Sequence, residues 1–289
     1  MKRLPTSGWN GGVVSRLRAE AGRMKRRIVR EPELIVVNTP GGLGNKLKAL
    51  VSAVRLSDSV AATYPTFGFL LENEIPVVDA IPTKCRVFSG WRFVLTTDDR
   101  LADDFASVPI PERGQNKLRI PVGRSIDYEY GRIPAQLLEA FLAAFAKLTV
   151  RGEIKRSVAR VSEHWPHDTI AVHVRSWEGN DFRRNLLFDL ERFFHAVDLR
   201  GAVPIFLGSD SPAVIDDFRR RYGSRVITAS GDNARLSHSA DADDEEVVVR
   251  AFVDMLCLSR TDVLIGTHLS TFTECAWWLG GCRQEVVIL

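Results

Sequence analysis

The sequence has no long hydrophobic run. Its longest apolar stretches, such as residues 140–146, fall far short of the ~20 residues that a bilayer span needs. Residues 1–30 also lack the continuous apolar core of a secretory signal. We therefore expect no transmembrane helix and a cytoplasmic location.

Cysteine is scarce as well. The four cysteines, Cys85, Cys257, Cys275 and Cys282, form no Cys-x-x-Cys pair. Their spacing argues against a disulfide framework and against a zinc site. We expect reduced cysteines in the core and no bound metal ion.

An excess of charge of one sign is confined to one segment. The 289 residues carry 39 Lys and Arg against 36 Asp and Glu, a net charge of +3. Residues 1–30 hold nine basic residues and one acidic residue, which leaves the rest of the chain at −5. This basic arm is typical of a solvated tail, and it also suits peripheral contact with an anionic inner membrane surface. The acidic remainder argues against a nucleic-acid-binding protein.

The composition is that of an ordinary globular protein, and predicted strands alternate with predicted helices. The sequence is 45% hydrophobic and 26% charged, so it can bury a sizeable core. Up to residue 165 the patterns predict strands at 34–38, 67–71, 87–95 and 118–122 and helices at 47–56, 134–148 and 153–165. Beyond it they predict strands at 169–174, 203–207, 226–228 and 263–266 and helices at 190–199, 212–221, 247–259 and 272–279.

Alternation of strands and helices predicts parallel sheets. We therefore predict an α/β protein with two lobes that face a cleft. The predicted organisation is a basic arm at 1–30, an N-terminal lobe at 31–150 and a C-terminal lobe at 151–289.

A glycine-rich turn follows the first predicted strand. In open α/β sheets, ligands bind at the carboxyl ends of the strands. Gly42 and Gly44 would let backbone amides approach a phosphate or sugar, and Asn45 adds a short donor. The alternative is a tight turn from strand to helix without a ligand.

A second polar segment follows the strand that ends at Val174. Alternation puts His173 and Arg175 on the same face of the strand. The guanidinium group offers a fork of donors that suits phosphate oxygens. The alternative is an interdomain salt bridge, and Glu178 or Asp181 is a candidate general base.

Two more segments follow later strands. Ser270 and Thr271 begin a helix, whose N-terminus attracts phosphate through its amides and dipole. The alternative is that one of these hydroxyls only caps the helix. Asp210 follows the strand at 203–207 and would accept hydrogen bonds from a ribose or base, although Asp before Ser-Pro is also ordinary turn chemistry.

Together these segments resemble the superfamily of α-1,2-, α-1,6- and protein O-fucosyltransferases, which includes the nodulation fucosyltransferases. Residues 41–45 look like its first-lobe signature, and His173-Val174-Arg175 looks like the start of its His-x-Arg-Arg motif. Residues 206–210 resemble its strand that ends in Asp, and residues 253–272 resemble its Asp-x-x-x-Leu-Ser…Ser-Ser-x-Phe segment. The matching segments occur in order over most of residues 34–280.

The resemblance implies a GT-B-like fold of two Rossmann-type lobes, with the lobe at 31–150 on the acceptor side and the lobe at 151–289 binding the GDP-sugar. It also implies GDP-fucose as donor substrate, inversion at the anomeric carbon and no cofactor or metal ion. It implies that Arg175 binds the β-phosphate, that Asn45 faces the reaction centre and that Asp210 contacts the nucleoside. The remaining donor-binding residues that it implies are Gly42, Gly44, His173, Ser270, Thr271 and Phe272. The acceptor is expected to be a glycan or glycoconjugate, which no pattern in residues 62–132 identifies.

One position departs from the family pattern. Ser176 stands where the second Arg of His-x-Arg-Arg is expected, so one cationic donor is lost. This leaves open a binding protein without turnover, or a related transferase that uses another GDP-sugar. A dinucleotide oxidoreductase is a third interpretation, but residues 41–45 do not give Gly-x-Gly-x-x-Gly.

Overall fold

The computed structural model describes most of the chain after residue 33. The described residues are 34–39, 41–83, 85–89, 117–121, 125–131, 133–177, 181, 184–185, 188–229, 244–268 and 270–289, with only the backbone at 86, 88–89, 117–121 and 125–129. Within them no helix has the length and apolar character of a membrane span. The basic arm at 1–30 and the candidate base Glu178 lie outside the described residues.

A three-stranded parallel sheet forms in the first half. Strand β1 (Ile35–Asn38) lies between β2 (Val60–Ala62) and β3 (Arg86–Ser89). Helix α1 (Leu43–Leu56) connects β1 to β2, as the strand, glycine turn and apolar helix pattern predicts. The remainder of the predicted strand at 87–95 lies outside the described residues.

The predicted strand at 67–71 is wrong. Residues Thr66–Leu70 form a short helix, α2, after Pro65. Phe67 and Leu70 are three positions apart and almost fully buried, so the helical spacing puts both on one apolar face. Pro65 has φ −79°, which suits the start of a helix.

The connection between the two halves contains a hairpin and two helices. Strands β4 (Lys117–Pro121) and β5 (Ser125–Glu129) pair antiparallel. Helices α3 (Ala135–Ala146) and α4 (Gly152–Ser162) follow. The predictions at 118–122, 134–148 and 153–165 correspond to β4, α3 and α4, whereas β5 was not predicted.

A five-stranded sheet fills the second half, and all its pairs are parallel. Its strands are β6 (Ile170–Val174), β7 (Ile205–Ser209), β8 (Val226–Ile227), β9 (Val263–Gly266) and β10 (Glu285–Ile288). Its helices are α5 (Leu190–Asp198), α6 (Pro212–Tyr222), α7 (Glu245–Leu258) and α8 (Thr271–Leu279). The order is β10-β9-β6-β7-β8. The predicted α/β class with parallel sheets is confirmed.

Both faces of this sheet are covered. Ile170, Val172 and Val174 pack on the face that α5 and α6 cover. Ala171 points to the other face and belongs to a core that includes residues of α7 and α8. That second core also includes buried residues of α1 and α3, so one continuous apolar core connects the two sheets.

The compact unit spans Leu34–Leu289. Trp278 of α8 stacks on Phe145 of α3 with ring centres 5.9 Å apart, which shows how closely the second half packs on the first. The lobe boundary near residue 150 stays a prediction.

The four cysteines are free. Cys257 and Cys275 are buried, and burial raises the pKa of each thiol to about 12. Both thiols are therefore protonated at neutral pH and behave as small apolar core residues.

Candidate functional site

The candidate site lies where the strand order of the five-stranded sheet reverses. From β6 the chain moves to β7 and β8 on one side, and it then returns to β9 and β10 on the other. Neighbouring strands β6 and β9 are parallel, so their carboxyl ends lie side by side. Ligands of such sheets bind in the crevice at this reversal. The structure thus brings together residues 173–177 with residues 267–268 and 270–272.

Thr267 ties these two segments to each other. Its Oγ1 donates to the carbonyl oxygen of His173 at 3.0 Å and accepts from the backbone amide of Arg175 at 2.8 Å. Its side chain is buried. Thr267 was not predicted as a site residue, although a hydroxyl directly after a buried strand is a signal for this role.

The imidazole of His173 is fixed by the first turn of α8. Its Nδ1 lies 2.8 Å from Oγ1 of Thr273. Its ring stacks on Phe272 with centroids 4.8 Å apart and 16° between the planes. A Cβ at Gly266 would lie 2.2 Å from Cγ2 of Thr273, so only glycine lets Thr273 come this close to the end of β9. His173 and Phe272 are therefore oriented together.

Arg175 forms an ion pair at the end of the neighbouring strand. Its Nη1 lies 2.9 Å from Oδ2 of Asp210, whose side chain is only 2% exposed. The other oxygen of Asp210 accepts from the amide of Ser176 at 2.7 Å. The salt bridge considered as an alternative for Arg175 thus exists, but within the C-terminal sheet. It fixes Arg175 at the crevice, and the predicted contact of Asp210 with a nucleoside stays a prediction.

The backbone changes direction directly after Arg175. Trp177 has φ +57°, a conformation that costs a residue with a side chain about 1–2 kcal/mol. The Arg175 guanidinium lies 5.2 Å from the centre of the Trp177 ring. Strain of this kind clusters at functional sites, where the surrounding structure holds it.

The N-terminus of α8 points into the same crevice. Ser270 is the capping residue, since its Oγ accepts from the amide of Thr273 at 3.5 Å. The capping role considered for Ser270 is therefore present. The first amides of any helix have no partner within the helix, and the helix dipole adds positive potential there. Residues 270–272 can thus both start the helix and face an anion.

The first turn of α1 lies against the first turn of α8. A Cβ at Gly44 would be 2.7 Å from the carbonyl carbon of Thr271 and 2.8 Å from the amide nitrogen of Phe272. Gly44 therefore permits the helix contact, a role that the sequence did not indicate. Gly42 precedes the helix and has open space around it. The first turn of α1, including Asn45, is thus placed beside the crevice.

No family model matches the chain, and no curated protein matches it. Among solved structures it is similar to the NodZ α-1,6-fucosyltransferase soaked with GDP-fucose, with 18% identity, 86% of this chain and 92% of that chain covered, and a TM-score of 0.47. NodZ from Bradyrhizobium matches with 18% identity, coverages of 85% and 92% and a TM-score of 0.46. POFUT1 in complex with GDP matches with 14% identity, coverages of 90% and 99% and a TM-score of 0.44.

Asp254 is a candidate site residue that was not predicted. Helix α7 ends shortly before β9 begins, so its N-terminal part points to the carboxyl edge of the sheet. Leu258 packs close to Gly208 near the end of β7, because a Cβ at Gly208 would lie 3.4 Å from Cδ1 of Leu258. Asp254 lies one helical turn before Leu258 on the same face of α7. Asp254 is 4% exposed, and burial raises the pKa of its carboxyl group to about 7. The sequence feature that could have identified Asp254 is the match to Asp-x-x-x-Leu-Ser, which starts at this residue.

A groove of about 760 Å³ lies at the opposite edge of the sheet. It is lined by Lys155, Arg260, Asp262 and Arg283, which surround the segments that enter β9 and β10. Ligands of open parallel sheets bind at the carboxyl edge rather than at this one. The groove contains none of the predicted site residues and is not part of the candidate site.

Substitution of Gly44 by Ala is expected to weaken the contact between α1 and α8. The new methyl group would meet backbone atoms that cannot move aside, and overpacking of this kind costs about 1–3 kcal/mol. Thermal unfolding should show a lower Tm for Gly44→Ala. Gly42→Ala is the matched control and should change the Tm little, because its Cβ has open space. Equal effects of the two substitutions would contradict the close contact.

Proposed function

We propose that the protein is a glycosyltransferase that transfers fucose from GDP-fucose to a glycan or glycoconjugate, with inversion at the anomeric carbon. One observation carries the proposal: Arg175 and the N-terminus of α8 lie at the two strand ends that flank the reversal of strand order. A guanidinium fork and helix amides at one crevice suit the diphosphate of a nucleotide sugar. The motif resemblance supports the choice of donor.

Arg175 can serve Asp210 and a phosphate at the same time. A guanidinium group has five N–H donors, and the bond to Asp210 involves Nη1. With 22% of its side chain exposed, the guanidinium is accessible to a phosphate in the crevice. The ion pair therefore holds the guanidinium in place rather than blocking it.

The proposed reaction displaces GDP from the anomeric carbon. The oxygen of an acceptor hydroxyl forms a bond to this carbon while the bond from the carbon to the β-phosphate oxygen breaks. Negative charge then grows on the diphosphate, where Arg175 and the amides of residues 271 and 272 would stabilise it. The acceptor proton passes to a base, for which Glu178 and Asp181 are the candidates. Asn45 would face the reacting sugar from the first turn of α1.

Asp254 is proposed to recognise the guanine base. The edge of guanine presents two N–H donors next to each other, and an ionised carboxylate accepts both. Adenine and uracil do not present this pair. A buried carboxyl at the carboxyl edge of β7 therefore favours GDP over ADP and UDP.

A binding protein without turnover is the second candidate function. Ser176 occupies the position of the second Arg and is 1% exposed. Because serine is neutral, it adds no positive charge for the leaving diphosphate. Such a protein would bind GDP-sugars without hydrolysing or transferring them.

Calorimetric titration with GDP, ADP and UDP tests the proposal. GDP and GDP-fucose are the first probes, since the motif resemblance implies this donor. We expect micromolar binding of GDP and weaker binding of ADP and UDP, followed by release of GDP from GDP-fucose when a suitable acceptor is present. Binding without any GDP release across a screen of acceptors would favour the second candidate. Absence of a preference for GDP, or binding of NAD(P) instead, would contradict both.

A further inference from the structure

A buried ion pair connects the two halves of the protein next to the candidate site. Nζ of Lys48 in α1 contacts Oε2 of Glu274 in α8, and the two side chains are 5% and 4% exposed. Lys48 is four residues after Gly44, and Glu274 is three residues after Thr271. The pair therefore lies one helical turn from the contact between Gly44 and Thr271. Neither Lys48 nor Glu274 was predicted as a site residue.

Two groups next to the pair, Tyr130 and Cys275, are neutral. Tyr130 faces Glu274, and burial together with this carboxylate raises the pKa of the phenol. Cys275 follows Glu274, has a thiol pKa raised by burial, and donates to the carbonyl oxygen of Gly44 at 3.4 Å. Lys48 thus supplies a positive charge to the Glu274 carboxylate at this contact.

An ion pair is a costly way to hold two buried helices together. Two charges lose their hydration, and a well-packed apolar pair usually stabilises a protein equally well or better. Apolar surfaces also tolerate small shifts, whereas the contact between Lys48 and Glu274 forms only when α1 and α8 have one relative alignment. Such a pair can therefore specify alignment rather than add stability.

We propose that Lys48 and Glu274 are positioning residues that fix the alignment of α1 on α8. This alignment determines where Asn45, in the first turn of α1, lies relative to a donor held at Ser270 and Thr271. The inference rests on the proposed function for its catalytic consequence. Misplacement of a reacting group by about 1 Å can lower a rate by about 100-fold, so a small shift of α1 is sufficient.

The test compares single substitutions with an apolar pair. Lys48→Met or Glu274→Gln breaks the buried pair by removing one partner, and each should lower the Tm by about 10 °C. The double variant Lys48→Met/Glu274→Leu removes both charges and should unfold within about 3 °C of the wild type. Arg220→Ala is the control, because it breaks an exposed ion pair with Asp217 and should change the Tm by no more than about 2 °C.

The double variant separates positioning from stability. If the pair fixes alignment, the kcat for transfer falls about 10- to 100-fold, while the Kd for GDP changes by less than about threefold because residues of the C-terminal sheet bind it. Hydrogen exchange should also become faster in peptides covering 41–48 and 270–276. Wild-type kcat and wild-type exchange in the double variant would overturn the inference.

The two readouts distinguish this inference from the proposed function. If the wild type neither binds GDP nor transfers fucose, the proposed function fails. Hydrogen exchange in the two peptides of the double variant still tests whether the pair aligns α1 on α8 in that case, since this measurement needs no substrate. Faster exchange supports the alignment of α1 on α8 by the pair, and unchanged exchange rejects it.

Discussion

Arg175→Ala is expected to lower the rate of fucose transfer by about 100- to 1000-fold, which is the effect of removing one preorganised donor from a developing oxyanion. GDP binding should weaken as well, because the guanidinium would contact the diphosphate in the ground state. Arg175→Lys keeps the charge but loses the fork and should recover only part of the activity. Calorimetry with GDP and steady-state kinetics with GDP-fucose measure the two effects separately.

A stability control is essential because Arg175 also compensates a buried carboxylate. Removal of Arg175 leaves Asp210 buried with one ionic partner fewer, and loss of one member of a buried pair destabilises by about 3–5 kcal/mol. The double variant Arg175→Ala/Asp210→Asn removes that charge and should recover much of the Tm without recovering transfer. Asp210→Asn alone should keep measurable GDP binding. Restoration of transfer in the double variant would show that Arg175 only compensates Asp210.

The sequence was most informative where one physical constraint dominates. Strands β6 and β9 are buried on both faces, so their apolar runs end abruptly at the polar residues that follow. The sharp change from Val174 to Arg175, and from Gly266 to Thr267, marks the carboxyl edge of the sheet. Candidate site residues could therefore be placed at strand ends before the strand order was known.

Prediction failed where long-range packing decides the conformation. The run Phe67–Leu71 suits a strand by composition, but burial of Phe67 and Leu70 on one face favours the helix α2. The contact of Gly44 with Thr271 joins positions that are far apart in the chain, and no local pattern distinguishes a glycine that binds phosphate from one that permits helix packing. The ion pair of Arg175 with Asp210 likewise could not be predicted, because it depends on β6 and β7 being neighbours in the sheet.

Asp254→Asn is expected to stabilise the protein above neutral pH and to abolish its preference for guanine. Burial raises the pKa of Asp254 from 3.8 to about 7, so the folded state holds this proton more tightly than the unfolded state. The resulting stabilisation is complete below about pH 4 and is lost as pH rises through about 7. Asparagine cannot ionise, so at pH 8 the variant should gain up to about 4 kcal/mol in the free energy of unfolding relative to the wild type.

The same substitution should weaken the selection of GDP over ADP, although it raises the stability of the fold. Only the ionised carboxylate accepts both guanine donors, so the ratio of the Kd values for ADP and GDP should rise with pH through about 7 in the wild type. This ratio cancels the titration of the phosphates, which both nucleotides share. In Asp254→Asn the ratio should be smaller by about 10-fold or more and independent of pH.

Asp262→Asn provides the control for Asp254, because Asp262 is exposed and precedes β9 at the opposite edge of the sheet. It should change neither the stability at pH 8 nor the ratio for ADP and GDP. A gain of stability in Asp254→Asn without loss of the guanine preference would show that Asp254 is only a costly buried carboxyl. Both changes together would mean that the fold tolerates an unfavourable buried charge because this residue recognises the base, as functional sites often do at the expense of stability.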